Sequence, residues 1–302
     1  MNTAETINLT GTTVVVKIGG SVIETESLLE SLLADVKELV KAGLSLAIVH
    51  GGGPAIDQKL AAINKVPAKI QGLRVTDKET LQIVVEELTV INQLIVEKIS
   101  LGSLPAIGYV PQESTVFATE FIPNNSAIFS ASKMSACDAS GKQHDLGFVG
   151  KVSSVEVAKI KEAFLKGAVP VIAPLGISET GSILNINADT AALELAAAIG
   201  ANKLINITDV PGVLEDVSVK NTLIKNLNVD EAEAKIVDGT IKGGMLPKIK
   251  SCIDAVNMGI SAAQIIDGHT EHALLKAVTT QTIGTTISCK TGSDCQIFND
   301  KL

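Results

Sequence analysis

Arginine is almost absent from this chain of 302 residues, because Arg74 is the single arginine among 25 basic residues. A lysine supplies a point charge, whereas only the planar guanidinium can hold a carboxylate through two parallel hydrogen bonds. The rarity makes Arg74 a candidate binding residue. The alternative is a compositional bias that left one arginine on an ordinary surface.

Aromatic residues are also scarce, at 2% of the chain, while hydrophobic residues make up 46%. The core must therefore be built from aliphatic side chains, which suits parallel strands covered by helices on both faces. The length allows one large domain or two lobes.

Other missing features exclude whole classes of protein. A net charge of −8 argues against nucleic acid or an anionic membrane as the main partner. No apolar run reaches the roughly 18 residues of a membrane span, and residues 1–13 lack the pattern of a secretory signal. The cysteines form neither a C-x-x-C pair nor a zinc motif, so we expect a cytoplasmic protein with reduced thiols. They are Cys137, Cys252, Cys289 and Cys295.

Short β-branched runs alternate with helical patterns, which indicates βαβ units. Strands are predicted at Val14–Ile18 and Leu46–Val49, with a helix over 27–42 between them and another starting at Pro54. Further strands are predicted at Val169–Ile172, Leu204–Ile207 and Gln264–Ile266, and further helices over 79–100, 155–166, 189–199, 247–257 and 271–277.

Residues 109–147 lack a clear period and contain Pro111, Pro123 and two serine-rich patches. They are predicted to form either a pair of hairpins or a mobile flap. Loops this long in compact domains are often lids or binding elements.

Two glycine-rich turns follow predicted strands, in residues 17–21 (Lys-Ile-Gly-Gly-Ser) and 50–54 (His-Gly-Gly-Gly-Pro). Glycine lets successive backbone N–H groups converge on phosphate oxygens, and the second turn leads into a helix N-terminus, which favours anions. Open α/β sheets bind ligands at the carboxyl ends of their strands. The alternative for Lys17 is a side chain that extends to solvent from a strand end.

Three later segments have the same character. Residues 185–191 contain Asp189, for which an ordinary helix N-cap is the alternative. Residues 208–213 (Thr-Asp-Val-Pro-Gly-Val) form either a nucleotide contact or a plain turn. Residues 243–248 form a third glycine turn before a helix and place Lys248 to face a phosphate.

In order along the chain, these motifs resemble those of the amino acid kinase family, especially its members that phosphorylate N-acetyl-L-glutamate. The resemblance covers roughly residues 14–108 and 145–287. The matching motifs are Lys-x-Gly-Gly, His-Gly-Gly-Gly-Pro, Gly-x-Arg-x-Thr-Asp, Asn-x-Asn-Ala-Asp, Thr-Asp-Val-x-Gly-Val and Gly-Gly-Met-x-x-Lys.

The resemblance implies a role for each matching residue. Lys17 and Lys248 would flank the transferred phosphoryl group, and Asp189 would orient both lysines. The residues implied to bind the acyl-amino acid are Gly52, Gly53, Arg74 and Asn185, the last two through its α-carboxylate. The residues implied to lie near the nucleotide are Gly19, Gly20, Thr208, Asp209, Gly243, Gly244 and Met245.

The implied chemistry explains this inventory. The side-chain carboxylate of N-acetyl-L-glutamate would attack the γ-phosphate of ATP and give an acyl phosphate. Such a carboxyl group has a pKa of about 4.3, so it is already anionic and needs no general base. The protein must supply positioning and positive charge. Mg²⁺ would be held mainly by ATP oxygens and water, so no protein metal ligand is predicted. His50 is expected to be a structural hydrogen-bond partner.

Two departures from the family pattern keep alternatives open. The segment between Ile107 and Asp145 is longer than expected, and residues 132–134 (Ser-Lys-Met) stand where relatives have a Gly-Lys-Asp turn. Another acceptor, such as an aminoadipate derivative or aspartate, therefore stays open, as does a non-catalytic sensor of nucleotide and amino acid. Only 16 residues precede Lys17, without a helical pattern, so we expect a homodimer that lacks feedback control by arginine.

The family fold implies a three-layer αβα sandwich with a mainly parallel, open central sheet. Residues 1–200 are predicted to form an acyl-amino acid-binding and dimerisation lobe, and residues 201–302 an ATP-binding lobe. Since Lys17 and Lys248 come from different lobes, catalysis is expected to require lobe closure.

Overall fold

The computed structural model describes residues 8–70, 72–111, 127–137, 141–216, 219, 222–280 and 283–289. The strands are β1 (Thr13–Ile18), β2 (Ser45–His50), β3 (Lys69–Ile70), β4 (Leu73–Arg74), β5 (Ala106–Tyr109), β6 (Phe129–Cys137), β7 (Gln143–Val155), β8 (Val169–Ile172), β9 (Leu175–Ile177), β10 (Ile183–Asn185), β11 (Lys203–Thr208), β12 (Asn226–Asn228), β13 (Ala262–Asp267) and β14 (Thr285–Ser288). The helices are α1 (Gly20–Glu24), α2 (Glu26–Lys41), α3 (Gly53–Ala62), α4 (Lys78–Ser100), α5 (Val157–Leu165), α6 (Ala188–Ile199), α7 (Val229–Val237), α8 (Met245–Asn257) and α9 (Ala273–Thr279).

The main sheet has eight strands in the order β12-β14-β13-β11-β1-β2-β8-β5. Its neighbouring strands run parallel except for the antiparallel pair β13–β14. Helices α5, α6, α7 and α8 pack on one face, and α2, α9 and part of α4 pack on the other. The predicted three-layer sandwich with a mainly parallel sheet is therefore confirmed.

Strand β1 shows why the sheet forms where the sequence predicts it. Val14, Val15 and Val16 are all 0% exposed, and alternate residues belong to the cores on opposite faces of the sheet. β-Branched side chains favour this extended, doubly covered position. Helix α2 then buries a stripe that includes Leu29, Leu33 and Val36 against the same sheet, as its period predicts.

The sheet is continuous across the predicted lobe boundary. The strands from residues 13–172 form one half, those from residues 203–288 form the other, and β1 pairs with β11 at the seam. The different roles assigned to residues 1–200 and 201–302 remain a prediction. None of the helices that the structure describes is long and apolar enough to cross a membrane.

The segment over residues 109–147 contains an antiparallel hairpin, β6–β7, which joins β9 and β10 in a closed four-stranded barrel. The prediction of two hairpins is confirmed for one hairpin, β6–β7. The rest of it, and the flap prediction, concern residues 112–126, which lie outside the described residues. Residues 132–134, which the sequence comparison set against a turn of the relatives, do not form a turn in this structure. They lie within β6, where Lys133 sits over the ring of Phe148 at 4.8 Å from its centroid. Strand pairing with β7 decides this position, and a local motif comparison cannot detect it.

Candidate active site

Three parallel strands, β1, β2 and β11, end at the same edge of the sheet, and the predicted turns leave from there. Backbone hydrogen bonds lock the turns together: Gly19 N donates to Ile207 O at 3.1 Å, and Gly51 N donates to Ile18 O at 2.9 Å. A Cβ on Gly20 would lie 2.5 Å from the Cδ of Pro54. Glycine at position 20 therefore lets the two glycine-rich turns pack against each other.

Lys17 and Asp189 form an ion pair at this edge, with 2.9 Å between Nζ and Oδ1. Lys17 is only 8% exposed although it carries a charge, so the carboxylate partner matters for its burial. The N-cap alternative for Asp189 is wrong. The side chain of Asn187 caps α6, because it accepts hydrogen bonds from the backbone N–H groups of Asp189 and Thr190 at 2.9 and 3.1 Å. The Asp189 carboxylate is thereby left to pair with Lys17.

Lys248 belongs to the same electrostatic cluster. Burial opposes ionisation of Asp189, but the positive charges of Lys17 and Lys248 outweigh it and hold the pKa of Asp189 below its usual value. Burial, and then repulsion from Lys17, lower the pKa of Lys248, although Asp189 and Asp209 act in the opposite direction. Lys17, Asp189 and Lys248 are therefore close enough for their charges to influence one another.

A first cavity of about 280 Å³ opens beside this cluster, and we call it the acceptor cavity. The predicted residues that line it are Lys17, Gly20, Gly52, Gly53, Arg74, Asn185 and Asp189. Asn185 Nδ2 donates to Thr76 Oγ1 at 3.2 Å, and Thr76 Oγ1 donates to the carbonyl of Arg74 at 2.9 Å. This chain of hydrogen bonds ties the two residues predicted to hold a carboxylate to one another.

Arg74 itself is held by Gly53 of the second glycine-rich turn and by Asp57, which the sequence motifs do not include. Its Nη1 forms an ion pair with Oδ1 of Asp57, and its Nη2 donates to Gly53 O at 3.4 Å. Lys69, which lies opposite Arg74 in the β3–β4 hairpin, contacts Oδ2 of Asp57 at 3.3 Å and also lines the acceptor cavity. Asp57 lies three residues after Pro54 on α3, and only the hairpin register could have indicated Lys69.

A second cavity of about 470 Å³ lies next to Lys248, and we call it the nucleotide cavity. The predicted residues that line it are Asp209, Gly244, Met245 and Lys248. Val210, Pro211, Val213 and Leu214 add an apolar wall. Lys242, which the motifs did not include, also lines it.

Three predicted nucleotide residues line neither cavity: Gly19, Thr208 and Gly243. Thr208 is 3% exposed, and its hydroxyl accepts a hydrogen bond from Val210 N at 3.1 Å. In this structure Thr208 therefore stabilises the turn that carries Asp209. Gly243 takes a φ of +57°, a left-handed conformation at the turn before α8.

His50 has the structural role that the sequence predicts. It is completely buried; its Nδ1 lies 3.0 Å from Gly51 O, and its Nε2 lies 3.1 Å from Nδ2 of Asn92. Burial lowers the pKa of His50 to about 4, so the ring is neutral at pH 7.

Metal ligands are not clustered in the described part of the chain, where no group of three or more His, Cys, Asp or Glu residues could hold an ion. The acidic groups at the site are single ones, Asp189 beside the acceptor cavity and Asp209 beside the nucleotide cavity.

The sequence profile of the amino acid kinase family matches residues 12–267, which confirms the resemblance seen in the motifs. An acetylglutamate kinase from Methanothermobacter thermautotrophicus is 41% identical over 279 residues, covering 91% of this chain and 92% of the relative.

Solved structures share the fold at lower identity. The N-acetylglutamate synthase from Neisseria gonorrhoeae, complexed with coenzyme A and N-acetyl-glutamate, aligns with a TM-score of 0.78 at 23% identity. The alignment covers 94% of this chain but only 61% of the synthase. Carbamate kinase from Giardia lamblia bound to AMP-PNP aligns with a TM-score of 0.62 at 18% identity, covering 93% and 99% of the two chains. At these identities the alignments support the fold alone.

Proposed function

The chain belongs to the amino acid kinase family, and from this premise we propose that it transfers the γ-phosphoryl group of ATP to the side-chain carboxylate of N-acetyl-L-glutamate. The product is an acyl phosphate, and the reaction serves arginine biosynthesis. The observation that carries the proposal is the Lys17–Asp189 ion pair, which lines one cavity with Arg74 and Asn185, together with Lys248, which lines a second cavity with an apolar wall. The identity of the acceptor is inferred from the relatives named acetylglutamate kinase.

The cluster supplies what this reaction needs. The attacking carboxylate is anionic at pH 7, so the barrier is the approach of an anion to a polyanion. Lys17 and Lys248 provide positive charge on both sides of the transferred group, and Asp189 holds the Lys17 ammonium in place. Preoriented charge costs no reorganisation when the reaction occurs, which is the main source of such catalysis.

Each cavity suits one substrate. In the acceptor cavity, Arg74 and Asn185 bind the α-carboxylate, and the backbone N–H groups of Gly52 and Gly53 face the reacting end. In the nucleotide cavity, the apolar wall over residues 210–214 takes the base, while Gly244, Met245 and Lys248 lie at the N-terminus of α8 and face the phosphates. Gly19 and Gly20 directly follow β1, and Gly20 also lines the acceptor cavity.

Mg²⁺ is proposed to enter with ATP and to neutralise phosphate charge when bound. Asp209 and Asp189 are the carboxylates that face the two cavities, and solvent and phosphate oxygens would complete its ligands. Asp189 is already paired with Lys17, so its main task is to orient that lysine.

Lobe closure and self-association complete the proposal. Residues 1–200 bind the acceptor, residues 201–302 bind ATP, and closure brings Lys248 towards Lys17. A homodimer is supported by apolar side chains on and after α4, where Val90 is 59% exposed and Leu101 is 85% exposed. Absence of arginine feedback and a cytoplasmic location remain predictions from the sequence.

A coupled assay of ADP release tests the function. Purified protein is given ATP and Mg²⁺ with N-acetyl-L-glutamate, aspartate or aminoadipate in separate reactions. We expect turnover with N-acetyl-L-glutamate, and trapping of the acyl phosphate with hydroxylamine identifies the product. Preference for another carboxylate would support a kinase with a different acceptor. Binding of ATP without turnover of any acceptor would support the sensor.

A further inference from the structure

We propose that Asp57 is a positioning residue for the acceptor, because it fixes the guanidinium of Arg74 before the acceptor carboxylate arrives. The inference rests on the proposed function, since it concerns the same cavity. It adds a residue on α3 that none of the six motifs contains.

Arg74 has a largely buried side chain although it carries a charge. Its side chain is 9% exposed, and a charge with so little water needs a partner. Asp57 supplies one through Nη1, and Gly53 O accepts from Nη2 at 3.4 Å. A guanidinium has five N–H donors in a rigid fork, so these two contacts fix its plane and leave other donors for a carboxylate.

Asp57 contacts Arg74 but does not line the acceptor cavity. Arg74 and Lys69 both line that cavity, and the Asp57 carboxylate contacts the guanidinium without being part of the cavity lining. In this arrangement Asp57 positions the guanidinium, and Arg74 remains available to bind the acceptor.

The charges of Arg74, Lys69 and Asp57 do not cancel. Asp57 also lies 3.3 Å from the ammonium of Lys69, so it joins helix α3 to both strands of the β3–β4 hairpin. Two cations and one carboxylate leave one positive charge for an incoming anion. Burial would raise the pKa of Asp57, but hydrogen bonding and the charge of Arg74, followed by those of Lys69, hold it below its usual value. The carboxyl group of Asp57 is therefore ionised under ordinary assay conditions.

The opposite role would be that of an internal competitor, in which Asp57 occupies the guanidinium and must release it when the acceptor binds. The two roles predict opposite changes when the charge is removed. The positioning role predicts weaker acceptor binding in Asp57→Asn, and the competitor role predicts tighter binding.

The test is steady-state kinetics of Asp57→Asn with N-acetyl-L-glutamate and ATP. We expect the KM for the acceptor to rise roughly tenfold or more, because a charge-assisted contact to a buried group is lost. The kcat should stay within about threefold, and the KM for ATP should not change. Glu162→Gln, which breaks the exposed Glu162–Lys166 pair, is the matched control and should change neither constant.

A double-mutant cycle shows whether Asp57 acts through Arg74. In an Arg74→Met background, Asp57→Asn should have little further effect on acceptor affinity, measured by calorimetry without ATP. Asp57→Glu, which keeps the charge, should lose less affinity than Asp57→Asn. If Asp57→Asn does not fold, Asp57→Ser takes its place in the kinetics and in the cycle, with the same expected results.

The outcomes separate the two proposals. If the unmodified protein turns over no carboxylate acceptor, the proposed function fails and this inference fails with it. If it does turn over N-acetyl-L-glutamate but Asp57→Asn leaves the acceptor KM unchanged or lowers it, only the positioning role is overturned. An undiminished effect in the Arg74→Met background also overturns that role.

Discussion

The ammonium of Lys17 lies 2.9 Å from a carboxylate oxygen of Asp189, although one residue belongs to the first strand and the other to α6. The contact exists because β1 ends beside the N-terminus of α6, and because Asn187 caps that helix in place of Asp189. It links the acceptor cavity to the cations proposed to act on the phosphoryl group.

Replacing Asp189 with Asn removes this charge while nearly preserving the shape of the side chain. We expect kcat to fall by about 10²- to 10³-fold, since Lys17 loses the group that orients it. The KM values should change far less. The coupled ADP assay measures both constants. Glu194→Gln, on the same helix, is the control, and an Asp189→Asn enzyme with near-normal kcat would rule out the orienting role.

Lys248 is expected to be needed in its charged form. Lys248→Met should lower kcat by about 10²- to 10³-fold, whereas Lys250→Met, an exposed lysine of the same helix, should not. Because burial and Lys17 lower the pKa of Lys248, it loses its proton at a lower pH than an ordinary lysine. Activity should therefore be present on the acid side of that pKa and fall on the alkaline side. A flat alkaline profile in the unmodified enzyme, or full activity of Lys248→Met, would contradict this assignment.

His50 should make the fold sensitive to mild acid. Its pKa falls from 6.5 to about 4 on folding, so only the unfolded chain takes up the proton between these values. Stability is complete above pH 6.5 and declines as pH falls towards 4, by about 1.4 kcal/mol per pH unit from this residue. Urea unfolding at pH 7 and pH 5 measures the loss. His50→Gln should lose about 2 kcal/mol less than the unmodified protein between those two pH values.

The control for this experiment is Gln93→Ala, because Gln93 is exposed and its side chain has no titratable group. That variant should show the same loss of stability between pH 7 and pH 5 as the unmodified protein. Equal losses for the unmodified protein and His50→Gln would show that the ring titrates normally in the folded state.

Substitution by alanine should affect the stability of the protein differently at Gly20 and at Gly53. A Cβ at Gly20 would lie 2.5 Å from Pro54, whereas a Cβ at Gly53 would meet no atom within 4 Å. We expect Gly20→Ala to lower the free energy of unfolding by about 1–3 kcal/mol, because the two turns must move apart. Gly53→Ala should be close to neutral for stability. Urea unfolding of both variants tests the pair, and equal stabilities would show that the turns have room to separate.

Much of the fold could be predicted because its strands are short runs of buried β-branched residues. Val169–Ile172 was predicted with its observed bounds, and the helix over 27–42 was displaced by one residue at each end. The β6–β7 barrel strands were harder to predict, because serine and lysine interrupt their alternation and pairing with each other decides their conformation. The capping box of α7, Asn228 with Glu231, was a local signal that the prediction missed.

The candidate site was predictable where a backbone turn requires glycine or where charge interrupts an apolar strand, as at Gly20 and Lys17. The contacts of Arg74 were not predictable in the same way. Asp57 and Lys69 carry ordinary charged side chains at ordinary positions, and only the packing of α3 against the β3–β4 hairpin brings them to the guanidinium.

By itself the sequence determined the class of fold, the family and the residue types available for phosphoryl transfer, because periodicity and glycine turns are local properties of the chain. Tertiary structure alone decided which carboxylate faces each cation: Asp189 faces Lys17, and Asp57 faces Arg74. Which charged residues pair depends on their distance in space and on their burial. The local sequence around residues far apart in the chain indicates neither their distance nor their burial.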